Sequence, residues 1–414
     1  MGALKDFFHV AFTYAKPQEL FLRVIELMIG YPIYGISFLC PRNKNVWVFG
    51  TNVGFTDNAK YLYLYALEQG EIEVYWISTK KDVVLQMREQ GLPAYYRWSF
   101  KGVWICLRAY AYIYTSHTQC INFFTSGGAR KVNLWHGVGI KSGNAGSDNK
   151  NESAYKSIFM RIASPHNYER NTLFLSTSPL MNKHFTNMFT LEDGVLYEGM
   201  YPRCSYLMSS REIIEQEIKR YERPDVHVMV SRFKTYKKVF LYMPTWRGNM
   251  KDDFISDAGF DFRLLNDRMK QLNALFVFKL HPAVRFGQLD LEDMDNICFL
   301  DKNMDVYPLL PFTDMLITDY SSIYYDYILM DDKGVLLFPF DIEEYKKSSN
   351  RLAFDYEEYT PGPRVYTFEN MIEYIMKGEY GYNNVEREKI IRLFWGNNYK
   401  EKNICQLYKR IKTL

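Results

Sequence analysis

Asn45-Val46-Trp47-Val48-Phe49-Gly50 is a short apolar run closed by glycine, and its continuation decides the fold. The spacing predicts a helix over 55–67, and Val74-Tyr75-Trp76-Ile77-Ser78 then repeats the pattern of a buried strand. Strand, helix and strand at this spacing imply parallel pairing, since a crossover helix is what joins parallel neighbours. Outward from there, strand-like runs recur at 111–115, 132–135, 173–176, 239–243, 275–280, 315–318 and 334–338, and helical patterns cover 209–221, 262–272 and 385–414. The expected class is α/β, with binding loops at the carboxyl ends of the strands.

A chain of 414 residues exceeds what one core commonly serves, so two domains facing a cleft are expected. The seam is read at Gly199-Met200-Tyr201-Pro202-Arg203, which divides the chain into 1–40, 41–205, 206–384 and 385–414. Hydrophobic residues at 47% and charged residues at 24% are those of a globular protein and argue against disorder. A net charge of +3 without a long Lys or Arg run argues against nucleic acid as a partner. The six cysteines, Cys40, Cys106, Cys120, Cys204, Cys298 and Cys405, lack the paired spacing of a zinc or redox site, as in a reducing cytosol.

Segment 1–40 groups Leu4, Phe7, Phe8, Ala11 and Phe12 on one helical face and Leu20, Val24, Leu27 and Met28 on another. Such amphipathic helices fit a membrane interface or packing against the first domain equally well. Arg23, Glu26 and Pro32 interrupt the run before the roughly 20 apolar residues that a membrane span needs. The start, Met1-Gly2-Ala3-Leu4-Lys5-Asp6, lacks the charged opening of a signal peptide, so the protein is expected to stay in the cytoplasm.

Four cassettes carry the chemistry. In Asn133-Leu134-Trp135-His136-Gly137-Val138-Gly139-Ile140-Lys141, a histidine follows an apolar run and two glycines loosen the loop, a pattern that fits either a neutral imidazole presented as a base or a histidine bonded within its loop, and the company of the other cassettes favours the base. Lys279-Leu280-His281-Pro282 should leave the carboxyl edge of a strand, with Lys279 either a ligand or a plain exposed residue. Tyr242-Met243-Pro244-Thr245-Trp246-Arg247 ends another strand, where Arg247 suits either a phosphate or a structural salt bridge. Thr318-Asp319-Tyr320-Ser321-Ser322 joins a strand to a helix expected near Ser321, whose N-terminal N–H groups and hydroxyls suit phosphate oxygens. Asp319 could equally be an N-cap, and Asp326 lies one turn after Ser322.

With Gly54-Phe55-Thr56-Asp57-Asn58-Ala59-Lys60-Tyr61-Leu62-Tyr63 near the start and Pro361-Gly362-Pro363 near the end, these cassettes resemble the CDP-glycerol glycerophosphotransferase family, builders of teichoic acids and related capsules. The resemblance runs from about Asn45 to about Pro363. It implies a GT-B fold, two Rossmann-like domains with the CDP-polyol donor held mainly by the second. It also implies transfer of a polyol phosphate, glycerol before ribitol, to a hydroxyl of a lipid-linked acceptor polymer, with release of CMP. His136 becomes the base, His281 a ligand of the donor pyrophosphate, and Ser321, Ser322, Thr245 and Arg247 holders of the donor; Lys279, Asp319 and Asp326 are further candidate contacts of the donor phosphates, and Gly137 and Lys141 lie on the acceptor side. Peripheral attachment to the cytoplasmic face of the membrane is expected. A divalent cation such as Mg could assist, although no ligand cluster is visible.

The chain departs from the family pattern at Val138-Gly139, at Cys204-Ser205 and around Asn350-Arg351-Leu352, which suggests an unusual branch. Two rival readings are a GT-B glycosyltransferase using a sugar nucleotide, and a silent assembly subunit.

Overall fold

The structure is a computed structural model that describes residues 17–141, 160–189, 191–247, 254–281, 293–347, 352–378, 380 and 383–414. The first sheet takes β1 (Asn43–Gly50), β2 (Glu73–Ser78), β3 (Ala94–Tyr96), β4 (Ala109–Tyr114), β5 (Arg130–Asn133), β6 (Leu173–Ser176) and β7 (Leu196–Glu198) in the order β3-β2-β1-β4-β5-β6-β7. The second takes β8 (Lys238–Tyr242), β9 (Ala274–Phe278), β10 (Ile297–Phe299), β11 (Met315–Thr318) and β12 (Gly334–Leu337) in the order β10-β9-β8-β11-β12. Every pairing is parallel. Helices cover both faces of such sheets, which is why Trp47, Val48, Phe49, Phe240 and Leu241 are all fully buried and the strands read as continuous apolar runs.

The strands end earlier than their apolar patterns suggest. β5 stops at Asn133 and β9 at Phe278, so Leu134, Trp135, Lys279 and Leu280 already belong to loops. β3, β7 and β10 are three residues each, too short to show a period of two.

Segment 385–414 forms two helices that pack back onto the domains rather than standing apart. In the Asn384–Trp395 helix, Trp395 Nε1 donates to the Tyr325 carbonyl of the second domain at 3.1 Å. The Ile404–Lys412 helix returns to the first domain, laying Tyr408 on Trp47 of β1 at 5.3 Å and pairing Lys412 with Glu71 at 2.5 Å. A second tie is internal: Lys60, 1% exposed, reaches Glu222 at 2.5 Å and Asp305 at 2.8 Å.

The Pro17–Ser37 helix packs on the first domain along one face and leaves apolar side chains open along another. Tyr34 stacks on Phe123 at 4.6 Å and Tyr31 meets Phe124 edge-on at 5.6 Å, while Phe21, Leu22, Met28, Ile29 and Ile36 remain exposed. The face expected from Leu4 to Phe12 lies outside the described residues. Among the described residues, no helix is long and apolar enough to cross a membrane.

Candidate active site

β8 and β11 are neighbours at the point where the second sheet's strand order reverses, so the loops that follow them diverge and open a crevice. Residues 244–247 and 319–322 line it. The Thr245 N–H donates to Asp319 Oδ1 at 2.8 Å, which joins the two loops. Arg247 adds the loop after β12: it pairs with Asp319 at 2.6 Å and Asp341 at 2.7 Å, and it is 3% exposed. Of the two accounts of Arg247, the geometry supports the salt bridge, because a buried guanidinium between two carboxylates is not offered to a phosphate. Asp319 is engaged in the same staple and does not cap a helix.

The helix after β11 spans Ile323–Tyr327, two residues later than expected, with Ser322 at its N-cap position. Among the described residues the Ser321 and Ser322 hydroxyls have no hydrogen-bond partner, and neither does the buried Thr245 Oγ1, so three donors stay available beside the crevice. Asp326 does not join them. It is fully buried and accepts from Arg203 at 2.6 and 3.0 Å and from the Tyr307 hydroxyl at 2.5 Å, so the expectation that it contacts donor phosphate is corrected. Lys279 is likewise no plain surface residue: its ammonium donates to the Asp301 and Lys302 carbonyls at 2.8 and 2.9 Å. Burial lowers its pKa to about 8.

From the first domain, His136 enters the cleft one loop beyond β5. Its Nδ1 lies 3.1 Å from the Thr115 carbonyl, which can only accept, so the proton sits on Nδ1 and Nε2 keeps a free lone pair. The turn that aims the ring is strained: Trp135 has φ 51°, left-handed for a bulky residue. Asn58 holds that turn by donating to the Trp135 carbonyl at 3.0 Å, and Trp135 in turn packs on the His136 ring at 3.9 Å. Burial lowers the His136 pKa, partly opposed by nearby Asp57 and reinforced by Arg203, so the ring is neutral near pH 7.

The two sides meet at Gly137. A Cβ there would stand 3.1 Å from Ser322 Oγ and 3.4 Å from an Arg203 nitrogen, so glycine lets the histidine loop touch the second domain. Lys141 continues the contact by bridging to Leu352, and the Ile140 carbonyl accepts from Ala353 N–H at 2.5 Å. The Lys141 pKa falls to about 8 through burial, offset in part by Asp319. His281 stacks on Trp246 at 5.0 Å, and burial together with Lys141, Lys279 and Lys302 lowers its pKa. The cleft therefore holds two lysines that are largely charged near pH 7, Lys141 and Lys279, and two neutral imidazoles, His136 and His281.

Sequence reasoning missed the frame behind His136. Asp57, Asn58 and Arg203 stand inside motifs that give them no visible role, yet Arg203 pairs with Asp57 at 2.6 Å and its N–H donates to Asn58 at 3.3 Å. Among the described residues, no three His, Cys, Asp or Glu side chains gather to hold a metal. Of the described acids at the cleft, Asp57, Asp319, Asp326 and Asp341 already serve arginines, so these four carboxylates do not fit a cation site.

The sequence profile of CDP-glycerol:poly(glycerophosphate) glycerophosphotransferases matches residues 33–406. The chain belongs to this family. Membership sets the reaction class as phosphotransfer. Among its relatives, the teichoic acid poly(ribitol-phosphate) polymerase of Bacillus spizizenii is 26% identical over 390 residues, 90% of this chain but 57% of that protein. The teichoic acid poly(glycerol phosphate) polymerase of the same organism is 26% identical over 379 residues, 87% of this chain and 89% of that protein. The solved wall teichoic acid polymerase TagF superposes with a TM-score of 0.69, covering 96% of this chain and 98% of that one at 19% identity. This likeness identifies the glycerophosphotransferase architecture seen here as GT-B.

Proposed function

We propose that the protein transfers a polyol phosphate, glycerol before ribitol, from a CDP-polyol to a hydroxyl of a lipid-linked acceptor and releases CMP. The observation that carries this reading is His136, with Nε2 unprotonated and its loop against Ser322. In the reaction, Nε2 takes the proton of the acceptor hydroxyl, whose oxygen attacks the phosphorus bearing the polyol. The bond from that phosphorus to the CMP oxygen breaks, and CMP leaves as an anion. Ser321, Ser322 and Thr245 offer hydroxyls to the phosphates, Lys141 and Lys279 supply positive field to the developing charge, and His281, neutral near pH 7, offers a ring N–H to the same oxygens. Glycerol is favoured by the family's name and by a TagF variant soaked with CDPG, whereas ribitol polymerases also stand among the relatives. The deciding assay offers CDP-glycerol, CDP-ribitol and UDP-sugars separately with a lipid-linked acceptor extract. CMP from a CDP-polyol supports the reading, and sugar transfer without new phosphate in the product sinks it.

The pH profile is set by the same groups. His136 must be neutral, so kcat/KM for the donor should rise as pH increases through a value below 6.5. Lys141 and Lys279 must be charged, so it should fall as pH increases through about 8. Activity still climbing above pH 9 would remove the lysines from the mechanism.

The apolar face of Pro17–Ser37 supports attachment to the cytoplasmic surface of the membrane. Phe38 and Leu39 extend this face, and Phe100 and Trp104 stand exposed on a helix that also packs near Phe123, with Lys101 and Arg108 beside them. Cosedimentation with anionic phospholipid vesicles is expected for the wild type and should drop several-fold in a Met28→Asp, Leu39→Asp chain. Equal binding by both would reject this face.

A further inference from the structure

Behind the strip that joins the two domains lies a pocket of about 360 Å³, within the range of small-molecule sites. Leu180, Lys183, His184, Asn187 and Met188 of the Pro179–Phe189 helix line it, together with Phe354. It shares a wall with the catalytic loop. The Ile140 carbonyl bonds Ala353, which also lines the pocket, and Lys141 bridges to Leu352.

The helix that builds the pocket also positions the base: Phe189 packs on Trp135 at 4.5 Å, and Trp135 packs on His136 at 3.9 Å.

The lining has a definite chemistry. Lys183 makes no ion pair with any described residue, and Asn187 is exposed with its amide unengaged. Leu180, Met188 and Phe354 offer an apolar surface facing those donors. A phosphate ester next to a polyhydroxyl carbon chain matches both halves: the cation and amide take the phosphate oxygens, and the apolar side chains take the C–H face.

Resting on the proposed transfer reaction, we infer that this pocket seats a phosphopolyol unit of the acceptor behind its attacking end, with Lys183 as its phosphate contact. Lys183 is exposed on a helix, so its replacement leaves folding intact.

The test titrates full-length wild type, Lys183→Glu and Lys183→Arg with sn-glycerol 3-phosphate, inorganic phosphate and glycerol by ligand-observed NMR, with CDP-glycerol binding followed in parallel. The wild type is expected to bind glycerol phosphate more tightly than either fragment. Lys183→Glu should weaken it by about tenfold or more, the order for one charge-assisted contact. Lys183→Arg should restore it, and CDP-glycerol affinity should stay within about twofold throughout. Glycerol phosphate binding that is absent in the wild type, unchanged in Lys183→Glu, or matched by phosphate alone overturns the subsite, as does a parallel loss of CDP-glycerol affinity. A wild type that binds glycerol phosphate as expected but no CDP-polyol strikes the transferase reading instead.

Discussion

CMP release by a His136→Ala chain is expected to fall by about 10²- to 10⁴-fold, the usual contribution of a positioned general base. The donor KM should move little on the proposed reading, in which the imidazole acts on the acceptor hydroxyl while Thr245, Ser321 and Ser322 of the other domain hold the donor. The Thr115 carbonyl fixes which nitrogen is free, so even His136→Gln should recover little: its amide has no basic lone pair. The rising limb of the pH profile should vanish with the ring, leaving only the fall near pH 8 set by Lys141 and Lys279. The measurement is steady-state CMP release at several donor and acceptor concentrations. A loss confined to donor KM would make His136 a donor ligand and leave the base unassigned.

His136 was legible in the sequence because a strand, a histidine and loosening glycines are contiguous. Its protonation state was not, since the carbonyl that sets it comes from the loop after β4, 21 residues away. The same limit explains Arg247. A guanidinium after a strand looks the same whether it awaits a phosphate or two carboxylates, and the partner Asp341 lies 94 residues on. Asp326 shows the converse case. Helical spacing correctly put it near Ser322, but spacing carries no burial, and this carboxylate faces inward to Arg203 and Tyr307. Parallel sheets were readable wherever strands ran to four residues or more with apolar side chains, whereas β3, β7 and β10 owe their existence to pairing with a neighbour already in place.

Arg203→Ala should produce the largest loss of stability of any single change at the site. Arg203 is 4% exposed and ties Asp57 of the first domain to Asp326 of the second, with its own N–H on Asn58. Removing it leaves Asp326 fully buried with only the Tyr307 hydroxyl to answer its charge, a situation that costs about 3–5 kcal/mol. Burial already raises the Asp326 pKa despite Arg203, and without the guanidinium it should rise further. A carboxyl whose folded pKa is raised destabilises the fold above that pKa, and the penalty fades as pH falls toward the unfolded value of about 3.9. The deficit in urea midpoint should therefore be widest at neutral pH and shrink on acidification. Asp326→Asn in the same chain should return much of it, because the pair would then be absent instead of half broken. Arg203 also opposes protonation of His136. In the double variant, where folding is largely restored, the rising limb of kcat/KM should accordingly shift to higher pH, a change that a purely structural arginine would not produce.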